Sequence, residues 1–376
     1  MLQKNISIQE FYRLINASRD IRKKILYALI KNNAVVDIKD IQALQQIKEQ
    51  LLNFPSDDND YKVLVESDTI VSMNFSVETE ELHRDILFLS EGEKSLINYL
   101  EASIEGFGES MNACKEFIAK HNIRIFISDR DDTINPLAER YSSSVQSLYS
   151  SVFLSRFAST CDHAVIISSA PLSGLTRLCY FPPDLFTLAG DNGMKNLLFG
   201  GRSKEYLLKT QQQQMIHTLY EAIHTLYSMA PYRKFRYLDS GVWHKFAALS
   251  VFRNDSRKSI PAKESEAFLR EIRNVCSSLD PYKEFFYIED DGIKIAIYLK
   301  LSDASLPYSS KFIHKGYGID FLSSEIDFSQ GNILVCGNSS YDIDIIKALQ
   351  RRNNHVSAIF PDLSASIFIE NKTADN

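Results

Sequence analysis

The chain has few of the features that mark secreted, membrane-spanning or zinc-binding proteins. Its five cysteines lie far apart and form no C-x-x-C pair, so they argue against a zinc ribbon and against a disulfide framework. No stretch reaches the roughly 18 apolar residues that a membrane span needs, and the first residues show no apolar signal region. We therefore expect a cytoplasmic protein with reduced cysteines and no membrane partner.

The chain also has no excess of basic residues. Its 42 Lys and Arg stand against 48 Asp and Glu, which gives a formal net charge of −6. A mildly acidic chain has no overall positive field to hold a phosphate backbone, so we expect no nucleic-acid partner. With 44% hydrophobic and 24% charged residues over 376 positions, the composition is that of a folded protein of two or three domains.

Residues 1–118 are predicted to form a helical N-terminal domain. The segments IQEFYRLINASRDIRKKILYALIKN and IKDIQALQQIKEQLLNF place apolar residues near i, i+3, i+4 and i+7. Turn-forming residues at 55–60 interrupt this pattern, which resumes between residues 80 and 120. These helices can self-associate with a second copy, dock a partner protein or pack against the rest of the chain, and the sequence does not choose among the three.

After residue 121 the pattern changes to short apolar runs that end in small or acidic residues. Helical stretches at 137–157 and 341–352 separate strand-like runs at 124–129, 163–169, 332–337 and 356–360. Strands that alternate with helices predict an α/β domain with a doubly wound parallel sheet. We assign residues 119–195 and 309–376 to this core.

Residues 196–308 are predicted to form an α+β domain inserted into the core. Two helices, each followed by two strand-like runs, are expected at 204–228, 233–239, 244–252, 262–278, 284–289 and 293–300. In the first helix His217 and His224 are two turns apart, about 10.5 Å along the axis. This spacing favours an amphipathic helix over a shared metal site.

The candidate chemistry begins at Asp129 and Asp131, which follow the first core strand in the motif D-R-D-D-T. Catalytic groups of open α/β sheets lie at the carboxyl ends of strands, so both carboxylates can face one pocket. One can attack a phosphorus atom while the other handles the proton of the leaving oxygen. Because close carboxylates repel each other, the pair also implies a hard cation such as Mg²⁺. The alternative is an acidic turn.

Three later features supply what the acidic pair lacks. Ser168 ends the second core strand and can donate a hydrogen bond to a phosphate oxygen. Lys315, next to a glycine, can neutralise a phosphoryl group. Asn338 and Asp342 follow the third core strand and offer two oxygen ligands around a cation. Each feature alone is compatible with a surface loop or a helix cap, but their order along the strands indicates one phosphate-handling site.

D-x-D-x-T, a strand-end Ser, a Lys and G-N-x-x-x-D, in this order, resemble the motifs of the haloacid-dehalogenase-like phosphohydrolases. From about residue 125 to 360 the chain more closely resembles trehalose-6-phosphate phosphatases, especially those of roundworms with an additional N-terminal helical domain. The matching segments are FISDRDDTINPLAERYSSSVQSLYSSVFLSRFA, VIISSAPLSG, LAGDNG, DSGVWHK, HKGYGIDFL and ILVCGNSSYDI. The resemblance implies an α/β core with a cap domain and a Mg²⁺-dependent phosphatase for a small sugar phosphate, with trehalose 6-phosphate expected first.

The resemblance also implies a role for the residues that would carry the reaction. Asp129 matches the nucleophile, which forms an aspartyl-phosphate and binds Mg²⁺. Asp131 matches the general acid and base, which binds the metal through its backbone carbonyl. Ser168 and Lys315 match the residues that hold the phosphoryl group. Together these roles describe phosphoryl transfer through a covalent intermediate.

The remaining candidates are metal and substrate contacts. Asn338 and Asp342 occupy the metal positions of the last motif. Lys245 matches a cap Lys of the family, and Asn192 and Lys195 belong to the loop that faces the cap. We expect these last three residues to contact the substrate.

Three positions depart from the family pattern. Asn338 replaces an Asp, so the metal site loses a negative charge and its affinity should fall. Asp132 replaces a Gly, but Asp tolerates left-handed backbone better than most residues, so the turn should survive. Lys195 replaces a Glu that would contact sugar hydroxyls, which argues against trehalose. These departures motivate a second hypothesis, a degenerate member that binds a phosphorylated ligand or partner without turnover.

Overall fold

A computed structural model of the chain describes residues 6–31, 35–57, 60–65, 70–239, 241–255, 257–301, 313–361 and 366–370. They form a helical N-terminal region, a large mixed sheet with helices, and a smaller antiparallel sheet with helices. Within these residues no helix is long and apolar enough to cross a lipid bilayer. The boundary predicted between residues 308 and 309 lies outside the described residues.

The N-terminal region combines amphipathic helices with a small sheet. Its elements are β1 (Ile6–Ser7), α1 (Ile8–Lys31), α2 (Ile38–Leu52), β2 (Ser56–Asp57), β3 (Asp60–Leu64), β4 (Ile70–Met73), α3 (Ser76–Glu91), α4 (Glu93–Ser103) and α5 (Phe107–Lys120). The helices confirm the prediction from apolar spacing. The sheet corrects it, because β3 and β4 form an antiparallel hairpin after the turn-forming residues at 55–60, with Tyr61 and Met73 paired and buried.

The N-terminal helices pack against the core. One hydrophobic cluster includes both Leu82 of α3 and Leu148 of the core. The carboxylate of Asp85 in α3 accepts the backbone N–H groups of Leu148 at 2.8 Å and Tyr149 at 3.0 Å, and it forms an ion pair of 2.6 Å with Arg22 of α1. The structure therefore shows these helices packed against the rest of the chain. Self-association and docking of a partner protein stay predictions.

The core is an α/β domain built on one sheet. Its elements are β5 (Ile123–Ser128), α6 (Leu148–Ala158), β6 (His163–Ile167), α7 (Leu172–Leu178), β7 (Thr187–Gly190), β8 (Lys195–Leu197), β9 (Ser203–Glu205), α10 (Lys315–Leu322), β14 (Asn332–Cys336), α11 (Ile343–Gln350), β15 (Val356–Pro361) and β16 (Ser366–Glu370). The strand order is β16-β15-β14-β5-β6-β7-β8-β9. The strands β15, β14, β5, β6 and β7 run parallel, which confirms the predicted α/β core.

Two predicted core elements have other bounds in the structure. The helix expected at 137–157 begins only at Leu148, because the chain from 132 to 147 forms a loop held by Asn135. The Asn135 side chain accepts the N–H of Ser147 at 3.1 Å and donates to the carbonyl of Pro136 at 3.0 Å. In addition, β8 and β9 extend the core sheet, so the proposed start of the inserted domain moves from residue 196 to after Glu205.

The inserted domain is an antiparallel sheet covered on one face by helices. Its elements are α8 (Thr210–Ser228), β10 (Val242–Lys245), β11 (Ala248–Phe252), α9 (Ala262–Leu279), β12 (Phe286–Asp290) and β13 (Lys294–Leu299), with strand order β10-β11-β13-β12. On α8, Ile216 and Ile223 are buried whereas His217 and His224 are exposed. The amphipathic helix that the sequence predicts here is confirmed.

The prediction of a strand at 233–239 is wrong. The chain forms a 3-10 helix over Arg233–Tyr237, which buries Phe235 against Phe268 with ring centroids 4.0 Å apart. The run at 244–252 is two strands, because the chain turns at Phe246 and pairs Lys245 with Ala248. An apolar pattern of this length does not distinguish one strand from a tight hairpin.

Candidate active site

Two carboxylates and one ammonium group meet at the carboxyl edge of the core sheet. Asp129 follows β5, Asp342 lies in the loop after β14, and Lys315 is the first residue of α10. The Lys315 Nζ lies 2.6 Å from Oδ1 of Asp129 and 2.6 Å from Oδ1 of Asp342. All three residues are buried. The sheet order, with β14 beside β5, is what brings these distant sequence positions together.

Asp342 also fixes the shape of its loop. Its Oδ2 accepts the backbone N–H of Asn338 at 3.1 Å and of Ser339 at 3.0 Å, and the Ser339 hydroxyl at 2.9 Å. These bonds place Asn338, which is exposed, at the end of β14. Asp342 therefore holds both the loop and Lys315.

Burial raises the pKa of Asp129 to about 6, and the charge of Asp342 adds to this effect while Lys315 opposes it. When all three groups are ionised, two negative charges share one ammonium group. An additional cation at this place would be stabilised by the unmatched charge. The local electrostatics thus favour a metal ion next to Asp129.

The oxygen atoms available here fit Mg²⁺. In the described part of the chain, no group of three His, Cys, Asp or Glu side chains could hold a metal. Mg²⁺ needs fewer, because it usually keeps waters and takes one or two carboxylates plus phosphate oxygens. Asp129, Asp342, the amide of Asn338 and the backbone carbonyl of Asp131 are the atoms that would hold it. The set contains no thiolate or imidazole, the ligands typical of structural zinc.

Ser168 directly follows β6, the neighbour of β5 in the sheet, and is buried. Its hydroxyl oxygen accepts the backbone N–H of Ala170 at 3.1 Å. Because that bond uses an oxygen lone pair, the hydroxyl hydrogen stays free to donate. A hydroxyl at this position, with a hydrogen that can still donate, is what a phosphate contact requires.

The side chain of Asp131 forms an ion pair with the guanidinium of Arg130. Arg130 is fully buried and also donates to the backbone carbonyl of Ser144 and, at 3.1 Å, to the Sγ of Cys179. We did not single out Arg130 from the sequence, although a cation between two strand-end aspartates was a visible signal. In this arrangement the proposed acid and base is held by the residue that precedes it.

Asp132 adopts the backbone conformation of the turn and stabilises the loop that follows. Its φ is 55°, in the left-handed region, and its Oδ1 accepts the N–H of Leu137 at 2.8 Å. The expectation that Asp can replace Gly here is confirmed. The carboxylate serves the backbone of its own loop.

The candidate substrate contacts on the cap side have different surroundings. The amide of Asn192 donates to the carbonyl of Ile313 at 2.9 Å, just before α10, so it holds the segment that carries Lys315. Lys195 lies in β8. Burial raises the pKa of Asp191, and the positive charge of Lys195 opposes this rise. The sequence did not single out Asp191 as a functional residue. Its carboxylate accepts the N–H of Phe246 at 2.7 Å and so links the core to the cap.

Lys245 lies in β10 and lines a cavity of about 900 Å³. The N-terminal hairpin, the loop after Asp129 and the cap sheet all contribute to its wall, which includes Val71, Asp132, Ser169 and Trp243. Burial lowers the pKa of Lys245 to about 8, and the nearby Lys294 adds to this effect. The cavity is large enough for a sugar phosphate and adjoins the loops that carry Asp131 and Ser168.

A parallel sheet with an aspartate at the end of its central strand, and a cap inserted into it, define a haloacid-dehalogenase-like domain. The model described as "Trehalose-6-phosphate phosphatase, C-terminal" matches residues 126–370, and the model of the "Trehalose-6-phosphate phosphatase N-terminal helical bundle domain" matches residues 7–107. The chain belongs to the trehalose-6-phosphate phosphatase family.

Similar proteins are found among roundworms. The trehalose-phosphatase of Caenorhabditis briggsae is 22% identical over 401 residues, which cover 96% of this chain and 90% of that protein. Alpha,alpha-trehalose-phosphate synthase (UDP-forming) 2 of Caenorhabditis elegans is 23% identical over 368 residues, or 92% of this chain, but the match spans only 30% of the synthase. A solved "trehalose-6-phosphate phosphatase related protein" is 12% identical, with a TM-score of 0.45 over 63% of this chain and 87% of that one, a likeness too weak to add to these matches.

Proposed function

We propose that the chain is a Mg²⁺-dependent phosphatase that hydrolyses a small sugar phosphate in the cytoplasm. The observation that carries this proposal is Lys315 Nζ at 2.6 Å from both Asp129 and Asp342. A nucleophilic carboxylate, an ammonium group and a metal-binding carboxylate are the groups that phosphoryl transfer to an aspartate requires. Five free cysteines support a reducing compartment.

In the proposed reaction, a carboxylate oxygen of Asp129 attacks phosphorus and the sugar oxygen leaves. Lys315 and the hydroxyl of Ser168 bind the phosphoryl oxygens and stabilise the charge that develops on them. Bound Mg²⁺ would neutralise further phosphoryl charge. Asp131 transfers a proton to the leaving oxygen and then accepts one from the water that hydrolyses the aspartyl-phosphate. For this, its carboxylate must exchange the guanidinium of Arg130 for the substrate.

Trehalose 6-phosphate is the first substrate to test, since the family and the roundworm trehalose-phosphatase carry that name. The cavity under the cap supports a substrate larger than phosphate, and we place the sugar there, against Lys245. Asn192 and Lys195 are the other two residues proposed to contact the substrate. The cap then selects the sugar while the core carries out the reaction.

A second candidate function is phosphate-ligand binding without turnover. The ion pair between Asp131 and Arg130 favours it, because a proton donor held by a guanidinium is less free to act. The replacement of Asp by Asn338 and of Glu by Lys195 adds to this argument. In that case the arrangement of Asp129 and Asp342 around Lys315 would serve recognition only.

The test is release of inorganic phosphate by the full chain with Mg²⁺ and a panel that contains trehalose 6-phosphate, glucose 6-phosphate and p-nitrophenyl phosphate. We expect turnover that falls by about a thousandfold or more in Asp129→Asn, because the nucleophile is lost. Asp20→Asn, which removes an exposed carboxylate on α1, is the matched control and should match the parent chain.

Absence of turnover on every substrate, with Asp129→Asn equal to the parent chain, would reject the enzyme. Binding of inorganic phosphate that persists in the parent chain and is lost in Lys315→Met would then establish the second candidate. Calorimetry measures this directly.

A further inference from the structure

The turn between β10 and β11 marks the end of the cavity nearest to the proposed phosphate site. The N–H of Phe246 in this turn donates to the carboxylate of Asp191 at 2.7 Å. The next core residue, Asn192, donates its backbone N–H to the carbonyl of Ser168 at 2.9 Å. Lys245, which lines the cavity, directly precedes Phe246. The cavity therefore begins where the cap sheet meets the loops that are proposed to hold the phosphate.

From this turn, strand β11 leads away along the cavity. Ala248 pairs with Lys245 beside the turn, whereas Phe252 ends the strand. Ala248 and Phe252 are about 13 Å apart along the strand, because a strand rises about 3.3 Å per residue. Ser250 and Phe252 line the cavity, and so does Asn254 after the strand. The cavity thus extends well beyond the phosphate end.

The far end of the cavity is bounded by the N-terminal hairpin of β3 and β4. Arg257, which follows β11, lies 3.5 Å from Glu139 of the core. The carboxylate of Glu139 also accepts the backbone N–H of Asn74, which directly follows β4. Val71 and Ser72 of β4 line the cavity. The N-terminal region therefore builds the wall opposite the phosphate loops.

This part of the hairpin offers both polar and apolar groups to a ligand. In the part of the chain that the structure describes, β4 pairs only with β3, so its other edge has backbone N–H and C=O groups without a strand partner. The Ser72 side chain is exposed, and its oxygen accepts the ammonium group of Lys62 at 2.6 Å, which leaves the hydroxyl hydrogen to donate. Val71 is half-buried and adds an apolar surface.

The charges of the whole wall balance each other. Among the described residues, five carboxylates and five ammonium or guanidinium groups line the cavity, beside apolar side chains such as Leu137 and Phe252. A wall of this kind fits a neutral group that has both hydroxyls and apolar C–H faces, which is the character of a sugar ring. The cavity of about 900 Å³ is also near the upper limit of small-molecule sites, roughly 300–1,000 Å³, so a single hexose phosphate would leave part of it empty.

We propose that the N-terminal hairpin, through Val71 and Ser72, binds the second ring of a phosphorylated disaccharide and so selects it over a monosaccharide phosphate. The inference rests on the proposed function, which places the phosphate at Lys315 and the first ring against Lys245. The second ring then lies between Phe252 of the cap and the edge of β4. The hairpin is a specificity wall that the core and the cap do not supply by themselves.

The test is calorimetric binding of glucose 6-phosphate, trehalose 6-phosphate and maltose 6-phosphate to the full chain with Asp129→Asn, which prevents turnover. We expect at least one disaccharide phosphate to bind about tenfold or more tightly than glucose 6-phosphate. Adding Ser72→Trp should reduce this preference to about twofold or less, because the indole occupies the space of the second ring. The affinity for glucose 6-phosphate should change by less than about twofold, which also shows that the variant is folded.

Val71→Ala is a second variant, which removes an apolar contact without adding bulk. It should weaken binding of the preferred disaccharide phosphate about threefold and leave that of glucose 6-phosphate unchanged. Ser103→Trp, at an exposed position of α4 outside the cavity wall, is the matched control and should keep the preference.

Equal affinities for the three ligands, no binding of any of them, or a preference that neither hairpin variant alters would overturn the inference. A preference that the hairpin variants abolish, in a parent chain that turns over no substrate, would uphold the role of the hairpin and reject the phosphatase. Turnover together with equal affinities would uphold the phosphatase and reject the role of the hairpin.

Discussion

At the scale of the residue, Asn338 is the one neutral side chain among the proposed metal ligands. The loop that carries it is held by three hydrogen bonds to Asp342, so its backbone place does not depend on its own side chain. A substitution at 338 should therefore change the charge of the site and leave the loop in place.

Asn338→Asp should lower the Mg²⁺ concentration needed for half-maximal phosphate release, since a carboxylate attracts the cation more strongly than an amide does. Titration of the rate with Mg²⁺, together with calorimetric Mg²⁺ binding to the free protein, measures this. Asn98→Asp adds the same charge at an exposed position of α4 and serves as the control. An unchanged Mg²⁺ requirement in Asn338→Asp would show that position 338 does not contact the ion.

Residue chemistry explains what the sequence could and could not predict about the site. Asp129 and Lys315 were identifiable because strand ends and glycine-flanked loops have a known place in a parallel sheet. The pairing of Asp131 with Arg130 was not, because it depends on where Ser144 and Cys179 lie in three dimensions. Asp191 was missed for the same reason, since its partner Phe246 is 55 residues away.

At the scale of the element, α10 places Lys315 by packing closely on the loop after β7. A Cβ atom at Gly318 would lie 2.2 Å from the carbonyl oxygen of Asn192. Because that oxygen belongs to the backbone, it cannot move aside without shifting the chain. The glycine therefore sets the distance between α10 and the sheet.

Gly318→Ala should destabilise the protein by about 1–3 kcal/mol and lower phosphate release, because α10 must move and take Lys315 with it. Urea unfolding and the rate assay measure the two effects. Gly108→Ala in α5 is the matched control, since its Cβ would meet only the flexible side chain of Glu101, at 3.2 Å, and should be neutral or stabilising by up to about 1 kcal/mol. Similar behaviour of both variants would contradict the packing role.

Elements were predicted well where the apolar period was long and poorly where it was short. The amphipathic helices α1, α2, α8 and α9 follow from repeated turns of apolar residues. The hairpin of β3 and β4, the 3-10 helix at Arg233–Tyr237 and the split of β10 from β11 do not, because a few residues fit more than one structure. Tertiary partners such as Phe268, which packs on Phe235, decide these cases.

At the scale of the whole molecule, the joint between the N-terminal region and the core contains buried acidic groups. Burial raises the pKa of Glu78 to about 7, and raises that of Asp85 to about 6 in spite of Arg22. The Oε2 atom of Glu78 is buried and has no hydrogen-bond partner among the residues that the structure describes. The folded state therefore holds a proton at Glu78 in a pH range where the unfolded chain has lost it.

Because the folded pKa of Glu78 lies above its unfolded value, the free energy of unfolding should fall as the pH rises from about 5 to 8. The contribution of this group is at most about 3 kcal/mol. Urea unfolding at several pH values measures it, and Glu78→Gln should flatten the dependence. Glu49→Gln, at an exposed position of α2, is the control and should keep the slope of the parent chain. A parent chain whose stability rises over this range would contradict the prediction.

The order of the domains was predictable, because the change from helical to strand-like pattern near residue 121 is plain in the sequence. What the N-terminal helices contact was not, since an amphipathic face does not name its partner. The structure answers through Asp85, whose carboxylate binds the first turn of α6.

The hairpin that contributes Val71 and Met73 to the cavity wall also affects the search for inhibitors. A shortened chain that begins at the catalytic core would lack this wall, so its cavity would be more open to solvent. Compounds selected against such a fragment would be fitted to a shape that the intact protein does not offer. Drug screens directed at this chain should therefore keep its first hundred residues.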